Sequence, residues 1–249
     1  MENEILINNF KEAYRNFPQN YQNDFDDFWL WRNKIETKTE HILDRDHLDG
    51  TFNRLSPILK KWQYNRGPKC DEKPLDNLKL ALNNISEEYA KIRNLSLLDI
   101  SQFELELFQK IWNEIGDVKI IKKEEPDENP LVISICKPLM LIWGQTLAFD
   151  TKVRKNFSYE YEKSFLNKYR WSSNEWLYSL YLSNSLLKEN KKFTEYLRTC
   201  SIKKYGKDCP VPYGRFLDIY YFSSRKKVNL KKCEVLSDNS LSNDSSENV

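Results

Sequence analysis

The residues best suited to chemistry lie in one stretch, LVISICKPLMLIWGQTLAFDTKVRKNF at 131 to 157. It begins as an almost unbroken apolar run, yet it carries Lys137 and ends on Asp150, two residue types rarely buried without a partner. In one continuous helix the thirteen steps from Lys137 to Asp150 would span about 20 Å, too far for the two charges to cooperate. Gly144, followed by Gln145 and Thr146, offers a turn that breaks the run, folds its second part back and lets the charges converge. Pro138 biases Lys137 away from ordinary helical geometry. The plain alternative for Asp150 is an N-cap ahead of a helix from Thr151 to Phe157, a role worth about 1 kcal/mol.

Other candidates have equally plain alternatives. Arg215 and Asp218, three apart, suit a surface ion pair within one helix as well as a clamp on a backbone. Trp143 beside Gly144 reads first as core and second as a stacking surface. Trp29 and Trp31 cannot share a helix face, so one of them should be exposed or interfacial. His41 and His47 flank Asp44 within HILDRDH, but a spacing of six is not a same-face spacing, and both read as ordinary surface histidines. The five cysteines, 70, 136, 200, 209 and 233, are odd in number and widely spaced, with no CxxC pair, and read as unpaired thiols. There is no phosphate-binding glycine loop, HExxH or GxSxG motif, and no self-similarity at repeat length. No metal or cofactor is expected.

Charge narrows the partners. The net charge is only +2, but residues 137 to 232 carry 20 basic against 8 acidic residues, whereas residues 1 to 136 carry 19 against 25. A basic half of this kind is what an electrostatic footprint for a polyanion looks like, and a solvated helical surface is its bland counterpart. No apolar run reaches the roughly 18 residues of a membrane span, and the start, MENEILINNF, lacks a leader pattern. A cytoplasmic monomer with no membrane partner is the expectation.

The elements that must position these residues are helical. With 40% apolar and 14% aromatic residues, but only 6 Gly and 9 Pro, the chain has a core to bury and few turn residues for an all-β fold. Apolar spacing predicts helices over 3–16 (Ile5, Phe10, Tyr14, Phe17), 24–46, 52–64 and 74–93. Asn65 to Pro74 reads as a loop. Ser101 with Glu104 and Ser172 with Glu175 form S-x-x-E capping boxes, the first opening a helix that Gly116 should end. Residues 117–130 read as an exposed connection with one short strand at Val118 to Ile121, and 233–249 as a disordered acidic tail. The expected architecture is all-α, with a lobe at 1–116, a basic lobe at 131–232 holding the candidate active site, and a cleft between them.

AFDTKVRKN at 148 to 156 resembles the segment around the catalytic Asp of helix-hairpin-helix DNA glycosylases, a superfamily in which a glycine hairpin and a small-residue pair precede an Asp-Thr-x-Val-x-Arg-like run. Gly144, Thr146, Ala148, Asp150, Thr151, Val153 and Arg154 stand in that order, and VPYGRFLDIYYF at 211 to 222 is similar to a block that closes such relatives. The chain has one glycine where the family hairpin has two, and Lys137 precedes the turn instead of lying within it. The resemblance implies a DNA N-glycosylase excising a damaged or modified base, with foreign viral DNA, and so phage defence, one of the settings it leaves open. Asp150 would stabilise the cationic sugar or activate water, and Lys137 would attack the sugar or pair with Asp150. Trp143, Gly144, Gln145, Thr146, Lys152, Arg154, Lys155 and Arg215 would contact DNA. Lyase activity stays open, and a non-catalytic helical module that binds nucleic acid or protein is the alternative.

Overall fold

The computed structural model describes residues 2–62, 73–101, 105–116 and 129–223. Within them lie α1 (Glu2–Asn16), α2 (Gln19–Ile35), α3 (Leu48–Lys61), α4 (Lys73–Asn84), α5 (Ser86–Ile92), α6 (Leu105–Gly116), α7 (Val132–Trp143), α8 (Thr151–Tyr161), α9 (Ser173–Glu189), α10 (Lys191–Tyr205) and α11 (Tyr213–Ser223). A 3-10 turn at Ser164–Asn167 follows α8. The class is all-α: among the described residues no strand forms, and the only β pairing is one isolated bridge between Leu131 and Arg170. No helix there is long and apolar enough to cross a membrane. The Glu104 half of the first capping box, the strand expected at Val118 to Ile121 and the tail at 233–249 lie outside the described residues.

Local chemistry sets several helix ends. Ser172 and Glu175 form the reciprocal capping box that opens α9. The helix expected over 24–46 stops at Ile35, because side chains capture the amides that a continuing helix would need. Asp44 accepts from His41 N (2.6 Å), Thr37 Oγ1 accepts from Glu40 N (3.0 Å), and the Glu36 carboxylate turns inward to Arg93 and Tyr89. The helix expected over 74–93 is two, α4 and α5, parted at Ile85. Leu75, Leu78, Leu82, Ile85 and Tyr89 are nevertheless all buried.

In α1 the buried face is Leu6, Phe10 and Ala13, and Ile5 is 45% exposed, so the face lies one residue round from the expected stripe. The reason is its partners. This N-terminal helix packs against α10 and α11, with Phe10 edge-on to Phe193, Tyr196 and Phe216. α7 is buried around its whole circumference, as an almost wholly apolar helix should be, and it lies against α2, α3 and α6. One continuous hydrophobic core runs from Leu6 to Tyr221 and takes side chains from both 1–116 and 131–223.

Candidate functional site

The turn expected at Gly144 forms. Gly144 ends α7 in the left-handed conformation (φ 72°), its N–H bonded to Met140 O at 2.9 Å. A Cβ there would also lie 2.6 Å from the Trp29 ring. The following chain is held at several points. Gln145 accepts from Leu97 N (2.8 Å) and donates to Val211 O (2.9 Å), while Thr146 Oγ1 accepts from Trp176 Nε1 (3.1 Å). α11 closes over it, with Gly214 so near that a Cβ would fall 2.3 Å from Gln145 C and 2.4 Å from Thr146 N. The two segments that carry the sequence resemblance, 144–154 and 211–222, are therefore packed backbone to backbone.

Further along, Ala148 N donates to Asp218 Oδ1 at 2.9 Å. Phe149 then takes a positive φ of 51°, which costs a non-glycine residue about 1–3 kcal/mol unless its surroundings dictate it. They do: its ring is fully buried, 4.7 Å from Trp171 and 5.5 Å from Phe157. Asp150 follows as the N-cap of α8. Its Oδ1 accepts from Lys152 N (2.9 Å) and Val153 N (3.0 Å), and Oδ2 makes no hydrogen bond or ion pair among the described residues. Asp150 is half-buried.

Lys137 projects from the interior of α7. Its helical geometry persists despite Pro138, a departure from the expectation that tight packing of the neighbouring Cys136, Leu139 and Met140 explains. Its ammonium is buried and donates to Trp62 O at 2.6 Å. Lys137 and Asp150 both act electrostatically on Asp218, whose carboxyl is pushed up to about 6, chiefly by burial, against the opposing pull of Arg215. Arg215 and Asp218 form the ion pair that their spacing suggests (3.1 Å), but inside the core and not at the surface. The Arg215 guanidinium lies 4.6 Å from the Phe17 ring, 5.1 Å from Phe25 and 5.3 Å from Trp62, and donates to Tyr21 O and Gln22 Oε1.

The eight candidate DNA contacts divide by exposure. Lys152 and Lys155 are exposed on α8. Trp143, Gly144, Gln145, Thr146, Arg154 and Arg215 are buried, so they shape the site from beneath. Trp143 donates to Leu95 O and packs on Phe108. Arg154 donates to Lys168 O with its guanidinium 4.0 Å from the Tyr169 ring. Sequence reading missed Tyr159 and Tyr169, which stand 56% and 63% exposed beside exposed Lys163 and Lys168. Basic residues interleaved with tyrosines after Asp150 were the available signal.

Trp29 is the buried tryptophan of its pair, and Trp31 is half-buried beneath Arg54. His41 is not a surface residue: it is buried, its Nε2 lies 2.8 Å from Asp44 Oδ1, and burial lowers its pKa below the ordinary value. Among the described residues no group of His, Cys, Asp and Glu is arranged to hold a metal ion. Cys136, Cys200 and Cys209 are free thiols.

Glu160 on α8 is half-buried, accepts from Tyr221 OH at 3.0 Å, and is pushed up to about 7, chiefly by burial. A carboxyl whose folded pKa is raised contributes stability that is full below its unfolded value near 4.5 and is lost as pH rises through 7. Glu160→Gln keeps the acceptor and removes the charge. It should therefore melt with the native protein near pH 4.5 but be roughly 1–2 kcal/mol more stable at pH 8, after allowance for partial solvent screening. Thermal melts at the two pH values check this, and equal melting at pH 8 would contradict it.

Comparison of the chain with family models, with curated proteins and with solved structures finds no match.

Proposed function

We propose that the protein is a DNA N-glycosylase acting through Asp150. The observation that carries this reading is the division of labour within one carboxylate. Oδ1 is committed to capping α8, which fixes the group's orientation, and Oδ2 makes no hydrogen bond or ion pair among the described residues. A non-glycine residue in left-handed geometry immediately precedes it, the kind of local strain that collects at functional sites.

As the bond between sugar C1′ and the base nitrogen breaks, the base leaves with the bonding pair and positive charge builds on the sugar. Asp150 Oδ2 faces that charge and accepts a proton from the water whose oxygen bonds to C1′; the departing base is protonated in turn. Water, not Lys137, is the nucleophile in this reading, because the Lys137 ammonium is buried and bonded to Trp62 O. Lys152 and Lys155 neutralise phosphates, and exposed Tyr169, backed by Arg154, offers a face on which a displaced base can stack. A non-catalytic nucleic-acid-binding module is the second reading, favoured by the completeness of the Asp150 cap.

Both readings expect DNA affinity to fall steeply with salt. Changing Lys152 and Lys155 together to Ala should weaken binding similarly across sequences and lower the log–log salt slope by about 2, measured by fluorescence anisotropy. An unchanged slope would remove α8 from the interface. Release of free base with formation of an abasic site, on duplexes carrying deaminated, alkylated, oxidised or hypermodified bases, separates the catalytic reading from the binding one.

A further inference from the structure

α1, α10 and α11 enclose a cleft of about 590 Å3 at a face of α11 other than the one that carries Asp218. Phe216 lines it, and Asp218, two residues on, points about 200° round the helix. The floor is apolar and well packed: buried Phe10 and Phe216 lie edge to face, ring centres 5.8 Å apart. Half-buried Tyr14 and Tyr196 flank Phe10 at 5.8 and 6.2 Å. The rim is cationic. Lys11, Arg15, Lys203 and Lys204 line the cleft, and among the described residues no carboxylate does.

The four cations are not equivalent. Lys204 is tied to Asp26 and donates to Tyr14 OH at 2.6 Å, so it is already balanced. Lys11, Arg15 and Lys203 are exposed and form no ion pair among the described residues; Lys11 is held 5.4 Å from the Tyr196 ring centre. The Tyr196 hydroxyl is hydrogen-bonded with the Cys200 side chain, and the phenol is pushed up to about 12, chiefly by burial. Three unmatched positive charges around one concavity call for an anion of more than one charge, and tyrosine walls over a phenylalanine floor suit a flat aromatic group.

We infer that this cleft binds a nucleoside monophosphate unit, its phosphate held by Lys11, Arg15 and Lys203 and its base placed between Tyr14 and Tyr196. A free nucleotide and the 5′-phosphorylated end of a strand share that chemistry. This inference does not rest on Asp150 or on base excision.

Isothermal titration of the full-length protein tests it with dAMP, deoxyadenosine, inorganic phosphate, and a single-stranded dodecamer with and without a 5′-phosphate. The expected result is saturable dAMP binding, at least tenfold weaker for deoxyadenosine and for phosphate alone. Arg15→Ala combined with Lys203→Ala, and separately Tyr196→Ala, should each weaken dAMP at least tenfold, with folding checked by circular dichroism. Exposed Arg15 and Lys203 can be removed without disturbing the core, so the double variant remains informative should Tyr196→Ala fail to fold. A 5′-phosphate that tightens dodecamer binding beyond the dAMP affinity identifies a strand end, and no such gain identifies the free nucleotide. Absence of dAMP binding at millimolar concentration, equal binding of inorganic phosphate and dAMP, or undiminished binding by the double variant would overturn the inference.

Discussion

Arg215→Met is expected to destabilise the fold by about 3–5 kcal/mol, the usual cost of removing one partner from a buried ion pair. Arg215 and Asp218 are 1% and 3% exposed, so the pair is shielded from bulk solvent. Methionine fills comparable volume, so the loss isolates the uncompensated Asp218 carboxylate together with the donors withdrawn from Tyr21 O and Gln22 Oε1. Without the arginine, the Asp218 carboxyl should rise further above 6. The deficit should accordingly be smaller at pH 5, where protonation removes the buried charge, than at pH 8. Arg215→Met combined with Asp218→Asn should recover much of the loss, because asparagine can still accept from Ala148 N. Urea unfolding of the native protein and the two variants at both pH values checks this, and a double variant as unstable as the single one would contradict it.

The same pair marks where sequence reading stops. Three-residue spacing makes Arg215 and Asp218 an obvious ion pair, but whether such a pair is wet or buried depends on Phe17, Phe25 and Trp62, some 150 to 200 residues away in the chain. Features decided within a few residues were legible. The Ser172 box, the glycine turn at 144 and the cap at Asp150 each need only local chemistry, and each formed. Features decided by distant partners were not. The end of α2 at Ile35 depends on Arg93 and Tyr89 drawing Glu36 inward, and the rotation of α1 depends on α10 and α11. The break at Ile85 is invisible to periodicity because the same apolar rhythm serves one helix or two. Within the candidate site, Asp150 was legible, whereas the strain at Phe149 and the linking role of Asp218 appear only once α11 is packed on the turn.

Asp150→Asn carries the second large effect. Asparagine caps a helix about as well as aspartate, so α8 should form normally and thermal stability should move by no more than a few tenths of a kcal/mol. The negative charge that Oδ2 presents is lost. If that charge faces a developing oxocarbenium ion, turnover should fall by about 10²–10³, comparable to deleting one electrostatic contact to a transition state. DNA binding, carried by Lys152 and Lys155 in this account, should persist. An Asp150 that only caps α8 yields the opposite pattern, with stability, binding and activity all essentially native. Lys137→Ala separates the nucleophiles: with water as the nucleophile, no borohydride-trapped adduct with DNA forms in either the native protein or the variant.

The most direct measurement is single-turnover release of free base from modified duplexes, with the native protein and Asp150→Asn compared at matched melting temperature and matched DNA affinity. An abasic product is expected from at least one modified duplex, with a loss of about a hundredfold or more in the variant. No base released from any duplex, or release at the native rate by Asp150→Asn, would contradict it.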